Sequence, residues 1–378
     1  MDTLTQGLLG AVTAQLGFRR RLGPSATWVA AAAAVAPDLD VFAGPMLAAV
    51  GRDDEGLAYI AAHRGLSHSL LAVPLIALAI AGLWWWGRRW IERRRAAHRA
   101  ADGPGGGPGP PFRLLYACVF VAVLSHPLLD WCTTYGTQLF SPVTSRRFAA
   151  DVVPIVDILY TPLLVLTLVG CAVVRRVKRW DGRRASLAVG WVGFGLSVAY
   201  LASGHVLHER AVTIARTLAE ETMTAPDGGP AALRRADAYP ALGSILAWRT
   251  VVETDAGWQV ARVRPLAREP VEPDRVHVAC DATGPWVDRA RSLRAARVYA
   301  WFAMDRLRAE HRRDGEDQIV TLHDMRYGYR PDRLESLWPL VVRLGPDGEV
   351  RQVRRLTPRG RRSLGEMVAD AWDDIWGK

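Results

Sequence analysis

Four predominantly apolar stretches fill most of the first half of the chain: Leu66 to Trp86, Phe112 to Trp131, Val152 to Val174 and Ala185 to Val206. Crossing the hydrocarbon core of a bilayer takes about 20 helical residues, and each stretch has that reach. Lipid offers no partner for a free backbone N–H or C=O, so such segments must be helices. Two shorter stretches come first, Leu4 to Phe18 and Ala26 to Ala36. At about 1.5 Å per residue they reach only about 16–22 Å, and they read as short, re-entrant or packed against the others. The expected fold class is an α-helical multi-pass membrane domain of four to six hydrophobic helices over residues 1–206, followed by a small α+β extracytoplasmic domain over residues 207–378.

The arginines orient these segments. Arg19 to Arg21 separate the two short stretches, "GRRWIERRRAAHR" follows the first long one and "RRVKRWDGRR" follows the third. Cytoplasmic loops carry the excess of Lys and Arg, so all three fall inside. Trp84, Trp85, Trp86, Trp90 and Trp180 mark the same interface. The alternate connections, Pro37 to Gly65 and Cys132 to Asp151, carry two arginines each and fall outside, as do both termini. The net charge of +10 therefore reads as membrane topology, and no nucleic-acid partner is expected. The N-terminus lacks the basic region and cleavage site of a secretory signal. "ADGPGGGPGPP" (Ala101 to Pro111) reads as a flexible cytoplasmic loop. Cys118, Cys132, Cys171 and Cys280 form no C-x-x-C pair and read as small buried hydrophobes.

Beyond Val206 the pattern is that of a water-soluble domain. A helix to about Met223 is expected, then strands in "WRTVVETDAGWQVARVRPL", "QIVTLHDMRYGY" and "LWPLVVRLGPDGEVRQVRRL", with turns at "TDAG" and "GPDG". A helix is expected over "ARSLRAARVYAWFAMDRLRAEH".

The chemistry lies at the ends of the apolar stretches. Asp38 and Asp40 stand in "APDLD", His63 and His68 in "HRGLSHS", His126 and Asp130 in "SHPLLDW", and Asp151 and Asp157 in "DVVPIVD". Polar groups at membrane depth are costly unless something binds them. With the orientation fixed by the arginines alone, all eight sort to one non-cytoplasmic end. Imidazole and carboxylate together suit a divalent metal. His126 and Asp130, four apart, share a helical face, although Pro127 favours placing His126 at a helix start or kink. Five carboxylates and three histidines exceed the needs of one ion, so two ions, most simply zinc, bridged by a carboxylate are expected. Asp157, well inside an apolar stretch, is the strongest single flag. Asp151 has a plainer explanation in pairing with Arg146 or Arg147. Arg64 could clamp a phosphate or pair with an aspartate. Thr133, Thr134, Tyr135 and Gly136 could line a substrate mouth, and His205 and His208 read as interfacial caps.

The stretches "MDTLTQGLLGA", "PDLD", "HRGLSHS", "HPLLDWCTTYGTQLFSP" and "DVVPIVD", with "WRTVVET" and "LHDMRYG" further on, resemble the bacterial inner-membrane metal-dependent hydrolases, also described as LexA-binding, inner-membrane-associated hydrolases. That family is distantly similar to zinc-dependent phospholipase C and the P1-type nucleases. The resemblance implies a bacterial inner-membrane location and a hydrolase of ester or phosphoester bonds. Gln6 is a departure, since the family often has histidine after the threonine of its first motif.

The expectation is a hydrolase acting through metal-activated water, with Asp130, His68 and Arg64 catalytic and a lipid or lipid-linked phosphoester as substrate. The alternative is a non-enzymatic, metal-stabilised membrane scaffold or a regulator that binds a partner protein. A transporter would need polar groups along a path through the bilayer, whereas these gather at one end.

Overall fold

The computed structural model describes residues 1–42, 57–98, 111–177, 181–225, 228–229, 231–328, 330–356, 369 and 372. The Gly/Pro-rich segment 101–110, Trp180 and part of the connection between Pro37 and Gly65 lie outside them.

The N-terminal part is helical: α1 (Thr3–Gln15), α2 (Phe18–Leu22), α3 (Ser25–Val35), α4 (Ala58–Ala62), α5 (Val73–His98), α6 (Phe112–Trp131), α7 (Tyr160–Arg176) and α8 (Gly182–Thr222). Two 3₁₀ turns, Ala36–Phe42 and Leu66–His68, interrupt the series. α1 packs against α3, α6, α7 and α8 and forms the centre of the bundle. A second cluster joins α3, α5 and α6 through Val29, Ala33, Ala77, Val119 and Ala122. Many large apolar side chains face outward instead, among them Leu75, Leu83, Leu166, Val192 and Leu196. An apolar exterior suits lipid contact.

Among the described residues two helices, α6 and α8, are long and apolar enough to cross a membrane. A third candidate is a pair bent by 74°, Tyr59–His68 with Val73–Arg94. The count is thus two to three, fewer than the four to six expected. The ends of two apolar stretches are drawn into loop structure. Val152 and Val153 both give their N–H to the Cys132 carbonyl, at 2.9 and 3.2 Å, so the third stretch turns helical only at Tyr160. Leu70 gives its N–H to the Leu139 carbonyl at 2.9 Å, which delays α5 to Val73.

α8 has 41 residues, a length of about 60 Å, and runs well past one bilayer. The boundary expected at residue 206 falls inside this helix. Its far end carries the first of two four-stranded antiparallel sheets: β1 (Leu233–Pro240), β2 (Trp248–Thr254), β3 (Gly257–Val263) and β4 (Val271–Ala279), in that order. The second contains β5 (Leu307–Asp314), β6 (Asp317–Asp324), β7 (Leu340–Leu344) and β8 (Val350–Arg355). The hairpins at "TDAG" and "GPDG" form as expected, pairing β2 with β3 and β7 with β8. The single helix expected over residues 290–311 does not form. Leu293, with extended ψ of 147°, separates α9 (Pro285–Ser292) from α10 (Arg294–Phe302). Positive φ at Met304 and Asp305 then turns the chain into β5.

The two halves share their cores. Trp248 and Val263 of the first sheet pack with Leu9, Leu129, Val152 and Leu207 of the helical part. The second sheet and α10 pack against Leu57, Ile60 and Tyr135. This fixes the β half against the loops that carry the polar motifs.

Candidate metal centre

Four of the eight candidates converge. Asp38 sits on the 3₁₀ turn after α3, His68 on the turn before α5, and His126 and Asp130 on the last turns of α6. Each offers one ligand atom within 4.8 Å of the others, and all four are buried. The i, i+4 pair lies in an uninterrupted α6 that contains Pro127, so no kink is needed to aim His126 inward.

The His68 and His126 Nε2 atoms are 3.0 Å apart. Asp130 Oδ2 lies 3.3 Å from the first and 3.4 Å from the second. Asp38 Oδ1 lies 3.5 and 3.4 Å from the same two atoms. A tetrahedral ion with bonds of about 2.0–2.1 Å has ligand–ligand edges of about 3.3–3.4 Å. Five of the six edges here run from 3.0 to 3.5 Å.

The surrounding bonds fix which atoms face inward. His126 Nδ1 lies 2.5 Å from the Ala34 carbonyl, which can only accept, so Nδ1 carries the proton. His68 Nδ1 lies 3.0 Å from Ser67 Oγ and 3.2 Å from Asp40 Oδ2, and since the Ser67 hydroxyl gives its proton to Asp40, Nδ1 is the donor here too. Both Nε2 lone pairs then point into the cluster, beside two carboxylate oxygens. Asp130 Oδ2 accepts no well-aligned hydrogen bond and has the Arg64 Nε ion pair, at 3.2 Å, on its outer side. Two imidazole nitrogens and two carboxylate oxygens so arranged are a donor set that could hold a divalent cation.

Asp130 is held from its other side. Its Oδ1 accepts from Gln6 Nε2 at 2.9 Å and from the Met1 amine. Gln6 is thus an orienting group behind a ligand, the role its position can fill without imidazole. Asp38 Oδ2 accepts from Thr3 Oγ1 at 2.8 Å. Burial raises the Asp38 carboxyl, but the facing His126 and His68 outweigh it and hold it well below the usual carboxylate range.

Asp40 and His63 stand one layer back. His63 Nδ1 is 2.7 Å from Asp40 Oδ1, while Asp40 Oδ2 accepts from Ser67 Oγ at 2.7 Å and from the Arg64 N–H at 3.1 Å. Burial raises the Asp40 carboxyl, and the bonds from His63 and His68 more than reverse that. Arg64 adopts φ of 60°, a conformation that costs a non-glycine residue about 1–2 kcal/mol. That turn lets its N–H meet Asp40 while its side chain reaches the cluster, with Nε 3.2 Å from Asp130 Oδ2 and Nη1 2.7 Å from Thr133 Oγ1. The guanidinium also lies over the Tyr135 ring at 4.7 Å. Arg147, buried and 5.3 Å from the same ring, donates to the carbonyls of Ile60, His63 and Gly136. Among the described residues Asp151 pairs with neither Arg146 nor Arg147, which bond to Thr144 and to backbone carbonyls instead.

Asp151 and Asp157 lie outside the cluster. Asp157 caps α7, accepting from the N–H groups of Leu159 and Tyr160 at 2.8 Å each and from Tyr200 Oη at 2.8 Å. Its apolar setting raises its pKa by burial, but its partners are those of a helix cap. Asp151 has φ of 55° and an Oδ1 sealed from solvent without a donor; burial pushes its carboxyl up to about 7. Among the described residues one group of donors that could hold an ion is gathered, and Asp151 and Asp157 add no second. Sequence reasoning missed Thr3, Ser67, the Ala34 carbonyl and the structural part of Arg147. Thr3, inside "MDTLTQGLLGA", and Ser67, inside "HRGLSHS", stood in stretches that could have marked them.

A family model described as YdjM inner membrane protein matches residues 1–211, which contain every residue of the cluster. No curated protein and no solved structure matches the chain.

Proposed function

The chain belongs to the YdjM inner membrane protein family, and we propose that it is a metal-dependent hydrolase of that membrane, acting on a phosphoester or related ester of a lipid or lipid-linked substrate. The observation that carries this reading is the cage of Asp38, His68, His126 and Asp130, whose inward atoms are all acceptors. A divalent ion there, zinc by the donor set, would polarise a bound ester and lower the pKa of water to about 7.

The chain's own groups supply the rest. Asp38 is the cage residue nearest solvent, its side chain 10% exposed, while those of His68 and His126 are fully buried. Substrate and water would enter on that side. His63 and Asp40 lie at the same edge, each 11% exposed. With His63 Nδ1 bonded to Asp40, its Nε2 is left as a base able to take a proton, the geometry of an oriented general base. Arg64 places a fixed positive charge beside Asp130, where it can hold a phosphoryl oxygen. The cluster lies at one end of α6, at the edge of the apolar zone, where a lipid headgroup would be presented. A multi-pass arrangement with the β half outside the cytoplasm belongs to this proposal and rests on the basic loops.

One observation favours a second reading. Four protein donors complete a tetrahedron, the pattern of a structural ion, whereas catalytic zinc keeps a position open. A metal-stabilised scaffold would show that geometry too. The two readings separate in one experiment on the full chain purified without chelator, assayed for turnover of aryl phosphomonoesters and phosphodiesters. A hydrolase loses turnover in His68→Ala and Asp130→Ala while remaining folded, and keeps most of it in His205→Ala, an exposed position on α8. Bound metal with no turnover of any ester, and a fall in melting temperature on chelation, would establish the scaffold instead.

A further inference from the structure

We infer that the opposite end of the bundle carries a binding site for an anionic phospholipid, separate from the metal centre. A groove of about 150 Å³ lies between α2, α3, α5 and the start of α6. Its lining joins the buried apolar side chains of Leu22, Val29 and Leu115 to Arg88, Arg89 and Glu92 of α5. Leu115 precedes His126 by 11 residues on α6, about 17 Å along the axis, so the groove and the cage do not share a ligand.

Three features commit the site to a lipid phosphate. The first is the joining of an apolar slot to arginine side chains, which matches an acyl chain continuous with a phosphate and nothing purely polar. The second is the state of the two cations. Arg89 lies over the Trp85 ring at 3.8 Å and has no carboxylate partner among the described residues. Arg88 is held only by an exposed i, i+4 pair with Glu92 at 2.8 Å, a contact of little strength in water. Both guanidinium groups keep donors for a phosphate. The third is the setting: Trp84, Trp85 and Trp86 end the apolar part of α5 where the arginines begin, the sequence order of an interfacial belt. That order puts the arginines of the groove beside the tryptophans that would lie at headgroup level.

The test is native mass spectrometry of the full chain, titrated with phosphatidylglycerol and, separately, phosphatidylcholine. Wild type retains the anionic lipid preferentially. Arg88→Gln with Arg89→Gln weakens that retention by about tenfold, and Val29→Trp, which fills the slot and keeps the charges, weakens it as well. Arg93→Gln with Arg94→Gln, on the same helix but outside the groove, leaves the preference intact. Equal retention of both lipids, an equal loss in the Arg93/Arg94 variant, or undiminished retention in Val29→Trp would overturn the assignment. So would displacement of the lipid by inorganic phosphate alone, since the apolar lining would then contribute nothing.

Discussion

Asp130 divides its two oxygens between two tasks, and that division explains why this carboxylate lies deepest in the centre. Oδ1 is anchored by Gln6 and the Met1 amine, leaving Oδ2, with Arg64 beside it, to face both imidazoles. Asp157 instead gives Oδ1 to the N–H groups of a helix start and Oδ2 to the Tyr200 hydroxyl. Asp157→Ala should therefore cost about 1 kcal/mol of stability and leave metal content unchanged, as checked by thermal unfolding alongside elemental analysis. Asp151 has a pH signature. Its folded carboxyl keeps its proton up to about 7, whereas an unfolded one releases it near 4. Between those values the native state holds more protons, so the stability tied to this group falls as pH rises through the window. Asp151→Asn removes the liability and suits the positive φ. It should raise stability by about 1–3 kcal/mol at pH 8 and by little at pH 5; an equal gain at both would refute the titration. The histidines and Asp38 were legible in the sequence because polar groups at the ends of apolar stretches need a partner. Asp151 and Asp157 were not separable from them, since a cap and a ligand share one residue type and one neighbourhood.

Helix packing sets the ligand geometry at the next scale. A Cβ on Gly10 of α1 would come within 2.4 Å of Ala34 Cβ and 2.6 Å of the Ala30 carbonyl oxygen on α3. Glycine therefore lets the two helices touch, as small residues do in membrane bundles. α3 in turn holds the Ala34 carbonyl that fixes the His126 tautomer. Gly10→Val should push α3 outward and lower metal affinity by about 10–100-fold, the usual effect of losing a ligand's supporting bond. Competition with a chelator measures this, and retained circular dichroism shows that the helices persist. Unchanged affinity would mean that α3 does not tune the site. Element identity was largely readable from apolar length, and the strand hairpins from their turn residues. Element ends were not. The start of α7 depends on the Cys132 carbonyl capturing two N–H groups from a distant segment, a competition that no local pattern encodes. The break at Leu293 inside a helix-like sequence is likewise decided by packing.

Across the whole molecule, the β half packs on the loop that follows α6. Arg326, fully buried, pairs with Asp324 at 2.7 Å and donates to the Thr134 carbonyl at 3.0 Å, tying the loop after α6 to the end of β6. The β half therefore lies on the same side as the metal centre. If the basic loops face the cytoplasm, that side is external, so a periplasm-active reporter fused to the C-terminus should be active and a cytoplasmic one silent. The reverse pattern would invert the proposed topology. The division at residue 206 drawn from hydropathy misses this continuity, because one helix passes through the boundary and both halves share a core around Trp248. The most direct measurement is elemental analysis of the full chain, purified from membranes without chelator, beside His126→Ala and Asp130→Ala. The expected result is close to one divalent ion per wild-type chain and little in either variant, with all three proteins folded. Folded wild-type protein without metal, or variants that keep a full ion, would contradict the centre built from Asp38, His68, His126 and Asp130.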